Sequence, residues 1–282
     1  MQLKMTIKTN GKLLELSTPI VMGIVNVTPD SFYGKSRALS GQEVVEAVGK
    51  IIGHGGTIVD IGGYSTRPDA EIISAGEELK RLSFGLEIIR KHFPDVIISV
   101  DTFRADVARQ VVEEFGVSII NDIGGGGLDD KMFDTVARLE VAYILMHSKG
   151  DPQTMQKLTD YDDITAELLA FFSQRLSALK KAGVNDVIID PGFGFAKTTA
   201  QNFRLLNNLS VFKETGAPVL AGLSRKSMIY KTLEITPDEA LNGTTALNMI
   251  ALENGADILR VHDVKEAVQA VNLYRQLKRE DI

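Results

Sequence analysis

The 282-residue sequence predicts an α/β fold, a (β/α)8 TIM barrel with an N-terminal β-hairpin. Three observations carry that expectation. Short Val/Ile/Leu-rich runs alternate with stretches whose apolar residues recur at three- and four-residue spacing, about eight times in about 260 residues. The runs are apolar throughout, as VIISV and YILM are, which is how strands buried on both faces read. Each run then ends in a polar residue and a glycine- or proline-marked turn. An open doubly wound sheet is the alternative, because periodicity does not report closure.

Taken in order, residues 3–16 read LKMTIKTNGKLLEL, two alternating runs around Asn10–Gly11, a dipeptide that tolerates positive φ at both turn positions. This hairpin, residues 1–18, is placed outside the main fold, closing the bottom of the barrel. Strands are expected over 20–25, 57–61, 96–100, 118–121, 141–146, 186–190, 217–222 and 257–261. Helices are expected over 40–53, 75–92, 103–115, 129–139, 162–181, 198–214, 236–254 and 263–278. The first gathers Val44, Val45, Val48, Ile51 and Ile52 on one face. No low-complexity tract or linker divides residues 19–282, which read as one barrel, so 1–282 is taken as a single domain. The connections 26–39, 62–74 and 147–160 are long for structural turns and are expected to cover an active site.

The bulk composition narrows the function. A hydrophobic content of 44% is ample for a large core, and a net charge of −6 argues against nucleic acid or an anionic membrane as partner. Any anion site must be a local cationic pocket. With no cysteine, disulfides and thiolate metal sites are excluded, and a reducing cytoplasm is the expected compartment. Four histidines leave little room for a multi-histidine metal centre. No apolar run approaches the roughly 20 residues that cross a bilayer, and residues 1–17 lack a signal-peptide core.

The carboxyl ends of parallel barrel strands share one face, so Asn26, Asp101, Asn121, Asp190, Lys226, Arg260 and His262 are expected around one pocket. Carboxylates and amides facing cations suggest a polar heterocycle beside an anionic leaving group. Asn26 reads either as a ligand for a hard cation or phosphate oxygen, or as a turn residue ahead of Thr28–Pro29–Asp30. Asp101 is either a pocket carboxylate or the N-cap of the next helix. Thr66 and Arg67 belong to a lid that meets substrate on closure, or to an ordinary polar loop. Gly124–Gly127 lacks the lysine and hydroxyl of a phosphate loop and is read as slack. In DPGFGF the third glycine of a dinucleotide fingerprint is missing, so Pro191 is read as fixing the turn that projects Asp190. Arg225 and Lys226 stand at a helix start, which favours anions, and Arg260 and His262 lie on one side of the last strand. His54 and His92 are expected on helices, and His147 borders a long loop without an assigned role.

Eight segments, MGIVNVTPDSF, GGYSTRP, SVDTFR, IINDIGG, YILMH, DPGFGF, GLSRKS and RVHD, follow one another between residues 22 and 263. In that order they resemble the dihydropteroate synthase family. The resemblance implies a (β/α)8 barrel, a homodimer and Mg2+. It implies a transferase that joins 6-hydroxymethyl-7,8-dihydropterin pyrophosphate to p-aminobenzoate, giving 7,8-dihydropteroate and pyrophosphate. It assigns the pterin to Asp101, Asn121, Met146, Asp190, Phe195, Gly222, Lys226 and Arg260. It assigns the diphosphate to Asn26 with Mg2+, Thr66, Arg67, Arg260 and His262, and p-aminobenzoate to Thr66, Arg67, Pro68, Phe195, Lys226 and Ser227. Asp101, Lys226, Arg260 and Asn26 are the implied catalytic set. Two loops depart from the pattern: DSFYGKSR stands where DSFSDGG is usual, and Tyr64 and Asp69 replace Glu and Gly, so no role is carried over to Lys35 and Arg37. Rival readings are a pterin-binding methyltransferase that serves a corrinoid, a non-catalytic pterin-binding homologue, and a phosphate-handling barrel that uses Lys226 as a Schiff base. The first has no use for a diphosphate site, and erosion at Asn26, Arg67, Lys226 or His262 expected of the second is absent.

Overall fold

A computed structural model describes residues 5–9, 11–28, 40–64 and 72–278. The first strands, β1 (Thr6–Thr9) and β2 (Lys12–Glu15), form an antiparallel hairpin with Thr6 opposite Glu15. Eight parallel strands follow: β3 (Ile20–Asn26), β4 (Ile58–Gly62), β5 (Ile97–Asp101), β6 (Ile119–Asp122), β7 (Ala142–Met146), β8 (Val187–Asp190), β9 (Leu220–Ala221) and β10 (Ile258–Val261). They pair in the order β8-β7-β6-β5-β4-β3-β10-β9, and a parallel bridge between Ile189 and Val219 joins the two ends. The sheet therefore closes, as the sequence predicts, and the open doubly wound alternative falls away.

Strand alternation sorts the apolar residues into two cores. Val21, Val59, Ile98, Ile120, Tyr143, Ile189 and Leu259 pack outward on helical residues such as Val44, Leu82, Val107 and Leu168. Met22, Ile58, Ile119, Ala142, Ile188, Leu220 and Ile258 fill the barrel interior. Ile7 and Leu16 of the hairpin are buried against this inner set, so the hairpin plugs the amino-terminal end. Its apolar side faces in for the same reason that the inner strand residues do.

The helices are α1 (Gly41–Gly53), α2 (Ala75–His92), α3 (Ala105–Phe115), α4 (Met132–Leu139), α5 (Ile164–Ala182), α6 (Thr199–Asn207), α7 (Ser227–Leu233), α8 (Leu241–Glu253) and α9 (Val264–Leu277). Local chemistry sets their ends. Ser40 with Glu43, and Thr198 with Gln201, form capping boxes, and Asp163 accepts from Thr165 and Ala166.

Three expected elements differ in extent, and α7 is not among the helix ranges expected from the sequence. The helix expected over 198–214 stops at Asn207, where Asn208 turns its amide to Thr165 Oγ1, and the chain continues as a 3-10 turn over Leu209–Thr215. The helix expected over 236–254 begins only at Leu241; Pro237 starts a separate 3-10 turn capped by Thr236 and Glu239. The strand expected over 217–222 is two residues long. Pro218 has no N–H, and the Val219 N–H donates to the Asp257 carboxylate (2.8 Å) instead of to a strand. Among the described residues no helix is long and apolar enough to cross a membrane.

Candidate active site

The inward positions change character toward the carboxyl ends of the strands. Two residues beyond Ile58, Ile119, Ile188 and Ile258 on the same strands come Asp60, Asn121, Asp190 and Arg260. Register carries the polar row around the mouth: Asn26 lies opposite Gly62, Gly62 opposite Asp101, Asp101 opposite Asn121, and Met146 opposite Asp190. Arg260 ties the row together. Its Nε donates to Asp60 Oδ2 (2.6 Å) and its Nη2 to Asp101 Oδ2 (3.0 Å), while Asn121 Nδ2 also donates to Asp60 Oδ2 (3.1 Å). Asp60 is fully buried, and its Oδ1 has no partner among the described residues. Asp101 caps no helix, since the N-cap of α3 is Arg104.

Asp190 Oδ1 accepts from the Gly192 N–H (2.7 Å), so the proline turn does aim this carboxylate. Gly222 is where the last members meet. A Cβ there would lie 3.9 Å from Lys226 Nζ, and 4.0 Å from both Arg260 Cβ and Asp190 Oδ2. Lys226 donates to the Phe193 carbonyl, and its Nζ sits 4.6 Å from the centre of the Phe195 ring. The structure thus brings Asp101, Met146, Asn121, Asp190, Phe195, Gly222, Lys226 and Arg260 to one mouth. Asn26 borders them through Gly62, and Ser227 opens α7 directly after Lys226. Thr66, Arg67 and Pro68, with Lys35 and Arg37 and the Asn10 turn position, lie outside the described residues.

Burial dominates the electrostatics. It pushes the Asp101 carboxyl up to about 7, against the pull of Arg260 and with the help of Asp60. It raises Asp190 as well, which Lys226 opposes. Burial also lowers Lys226 to about 8, although Asp190 favours its charge. For Arg260 burial lowers the pKa, but Asp60 and Asp101 outweigh it, and the guanidinium is held above its ordinary value. His262 keeps an exposed edge, yet the protein packed around its ring and the Arg260 charge bring it down to about 4. At neutral pH its imidazole is uncharged, with Nδ1 3.1 Å from Ser224 Oγ.

Several sequence readings change. Arg225 is a strut rather than an anion contact. In a left-handed conformation (φ 54°), it grips Asp263 with Nε and Nη2 (both 2.9 Å) and the Pro237 and Asp238 carbonyls with Nη1. The glycine run 124–127 is not slack. The Asp122 carboxylate accepts from Gly124 and Gly126 and from the Tyr143 hydroxyl, and a Cβ on Gly126 would strike the Phe133 ring. His147 is buried beside Lys197. Sequence reasoning passed over Asp60; the available signal was a charged residue at an inward position of an apolar strand. Among the described residues no group of three or more His, Cys, Asp or Glu side chains could hold a metal ion.

Residues 22–262 match the family described as pterin binding enzyme. The chain belongs to the pterin-binding enzyme family. A dihydropteroate synthase of Escherichia coli is 41% identical over 271 residues, covering 95% of each chain. Among solved structures, the Yersinia pestis dihydropteroate synthase in complex with a sulfonamide drug superposes with a TM-score of 0.91 at 38% identity, covering 97% of this chain and 99% of that one. A dihydropteroate synthase of Xanthomonas albilineans with 4-aminobenzoic acid gives 0.88 at 37% identity, covering 98% and 99%. For a pterin-binding enzyme the mouth has the required chemistry. A pterin edge alternates donors and acceptors, and the buried carboxylates and amide here can meet it with charge-assisted bonds.

Proposed function

We propose that this chain is a dihydropteroate synthase, condensing 6-hydroxymethyl-7,8-dihydropterin pyrophosphate with p-aminobenzoate to release pyrophosphate and 7,8-dihydropteroate. The observation that carries the reading is the convergence of Asp101, Asn121, Asp190, Lys226 and Arg260 from separate strand ends onto one mouth. Asp190, Asn121 and Asp101 would hold the pterin edge, with Lys226 on its carbonyl and ring nitrogen and Arg260 along its face. Met146 and Phe195 would line the apolar parts of the ring, beside the bare backbone of Gly222.

The C–O bond to the exocyclic methylene would break first, and pyrophosphate would leave with the electron pair. The methylene cation delocalises into the reduced ring, where the ionised Asp101 opposes its charge. Arg260 and His262, with Thr66 and Arg67 from the loop, would receive the departing anion. Lys226 would keep the ring in place while the aniline nitrogen of p-aminobenzoate attacks the methylene and then gives up its proton. The carboxylate of that substrate would lie against Ser227 and under Thr66, Arg67 and Pro68, with Phe195 at its ring. No covalent enzyme nucleophile is required.

The donor set fits Mg2+ only in one form. Asn26 offers a single neutral oxygen at the mouth, and no group of three or more His, Cys, Asp or Glu side chains among the described residues could hold a metal ion, so a cation there would rely on diphosphate oxygens and water for its other ligands. Bound with Asn26, Mg2+ would neutralise charge on the leaving diphosphate. We place the enzyme in the cytoplasm, in keeping with its cysteine-free sequence. We propose that it works as a homodimer through its last helices, where Leu233, Ile250, Leu273 and Leu277 are exposed. A pyrophosphate-release assay with both substrates, with and without Mg2+, tests the activity. Turnover that needs both substrates is expected; none under any metal condition would remove the proposal. Light scattering tests the dimer.

A further inference from the structure

Behind the mouth, a lysine is buried where the proposed chemistry has no use for it. Lys197 is 5% exposed. Its Nζ donates to the carbonyls of His147 (3.2 Å), Gly192 (3.0 Å) and Phe195 (2.8 Å), and lies 3.1 Å from His147 Nδ1. Carbonyls only accept, so three of them match the three hydrogens of an ammonium. Burial, with the nearby Lys197 charge, holds His147 down at about 2, so its ring is neutral and can turn a lone pair to the ammonium. Burial also lowers the Lys197 pKa, and the Asp190 charge opposes that shift. The four acceptors supply the solvation that water would otherwise give.

These contacts join two loops that press together with nothing between them. A Cβ on Gly192 would stand 2.1 Å from the His147 carbonyl oxygen. The second loop is conformationally costly: Gly192, Gly194 and Ala196 all have positive φ (69°, 82° and 50°). It is also the wall that aims the site. Its Gly192 N–H holds Asp190, its Phe193 carbonyl holds Lys226, and its Phe195 ring lies beside the Lys226 ammonium.

We propose that Lys197 is a positioning residue for pterin binding, its caged ammonium fixing Gly192 and Phe195 and through them Asp190 and Lys226. Three carbonyl oxygens and one imidazole nitrogen around a single positive charge also make a shell for a small monovalent cation. An exogenous alkylammonium therefore replaces the side chain once it is cut away. The identity of the ligand rests on the synthase reading.

The test uses the full-length enzyme, with binding of a 6-hydroxymethylpterin followed by calorimetry and turnover followed by pyrophosphate release. Lys197→Met and Lys197→Ala are expected to weaken pterin binding about tenfold or more, while the KM for p-aminobenzoate at saturating pterin, a substrate that meets Phe195 but not Asp190, rises by clearly less. Ethylammonium chloride at about 100 mM is expected to recover most of the loss in Lys197→Ala, and tetramethylammonium, which has no N–H, to recover none. Pterin binding within about twofold of wild type in either folded variant overturns the proposal. So does equal weakening toward both substrates, or recovery with both salts or with neither. If neither variant folds, His147→Phe keeps an aromatic ring and removes Nδ1; a loss of about threefold in pterin binding is expected, and an unchanged affinity overturns the proposal. Wild-type enzyme that binds no pterin would instead remove the synthase reading itself.

Discussion

At the amino-terminal end of the barrel the inward positions hold Ile58, Ile119, Ile188 and Ile258; two residues along the same strands they hold Asp60, Asn121, Asp190 and Arg260. The backbone treats both layers alike, and the side chains do opposite things with it. The lower layer is dry, sealed by Ile7 and Leu16, and each of its residues removes apolar surface from water. The upper layer confines carboxylates whose pKa values burial has raised, a sign that their charge is badly solvated before a ligand arrives. Stability should therefore be concentrated below and affinity above, with little overlap.

The most damaging change expected on this view is Ile188→Ala. Deleting a fully buried side chain from the lower layer should remove about 3 kcal/mol of stability. Pterin affinity of the folded fraction should stay at the wild-type value. Chemical denaturation and calorimetry on the same sample check both, and a large affinity change would join the two layers into one. Next comes Asp190→Asn, which keeps volume but loses a charged acceptor. Pterin affinity should fall by about 2 kcal/mol, with stability unchanged or improved. Unchanged pterin binding would take Asp190 out of the site. Asp60→Asn sits at the boundary and should move both quantities by roughly 1 kcal/mol each. It weakens the seat of Arg260 and Asn121, yet Arg260 keeps Asp101. An effect on stability alone would make Asp60 part of the scaffold.

The same division explains what the sequence could and could not reveal. The barrel was legible because apolar strands and amphipathic helices alternate, and that pattern comes from burial on both faces. Asp101, Asn121 and Asp190 were legible because each is a polar residue ending an apolar run, and Arg260 because it pairs with His262 two residues on in RVHD. Asp60 escaped because it stands inside such a run, followed by Ile61, and only the register of β4 shows that it faces the pocket. Arg225 misled because its neighbour Lys226 does face the mouth, while its own partner, Asp263, is distant in sequence. Lys197 escaped for a different reason: its acceptors are chiefly backbone carbonyls, which leave no mark on the sequence.

The smallest expected effect is the sharpest test of the upper layer, because it asks whether Asp101 carries strain that the ligand relieves. Its carboxyl is raised from 3.8 to about 7, chiefly by burial. Between those values the folded protein keeps a proton that the unfolded chain has already released. The contribution of Asp101 to stability therefore declines as pH rises through this window and is level above it. Asp101→Asn should flatten that slope. Binding runs the other way if the ionised carboxylate accepts a pterin N–H: affinity should climb as pH rises to about 7, then weaken again as Lys226 loses its charge near 8. Calorimetry of pterin binding across neutral pH should show this maximum in the wild type and no acid limb in Asp101→Asn. An acid limb that survives the substitution would pass the role to Asp190, whose carboxyl burial also raises.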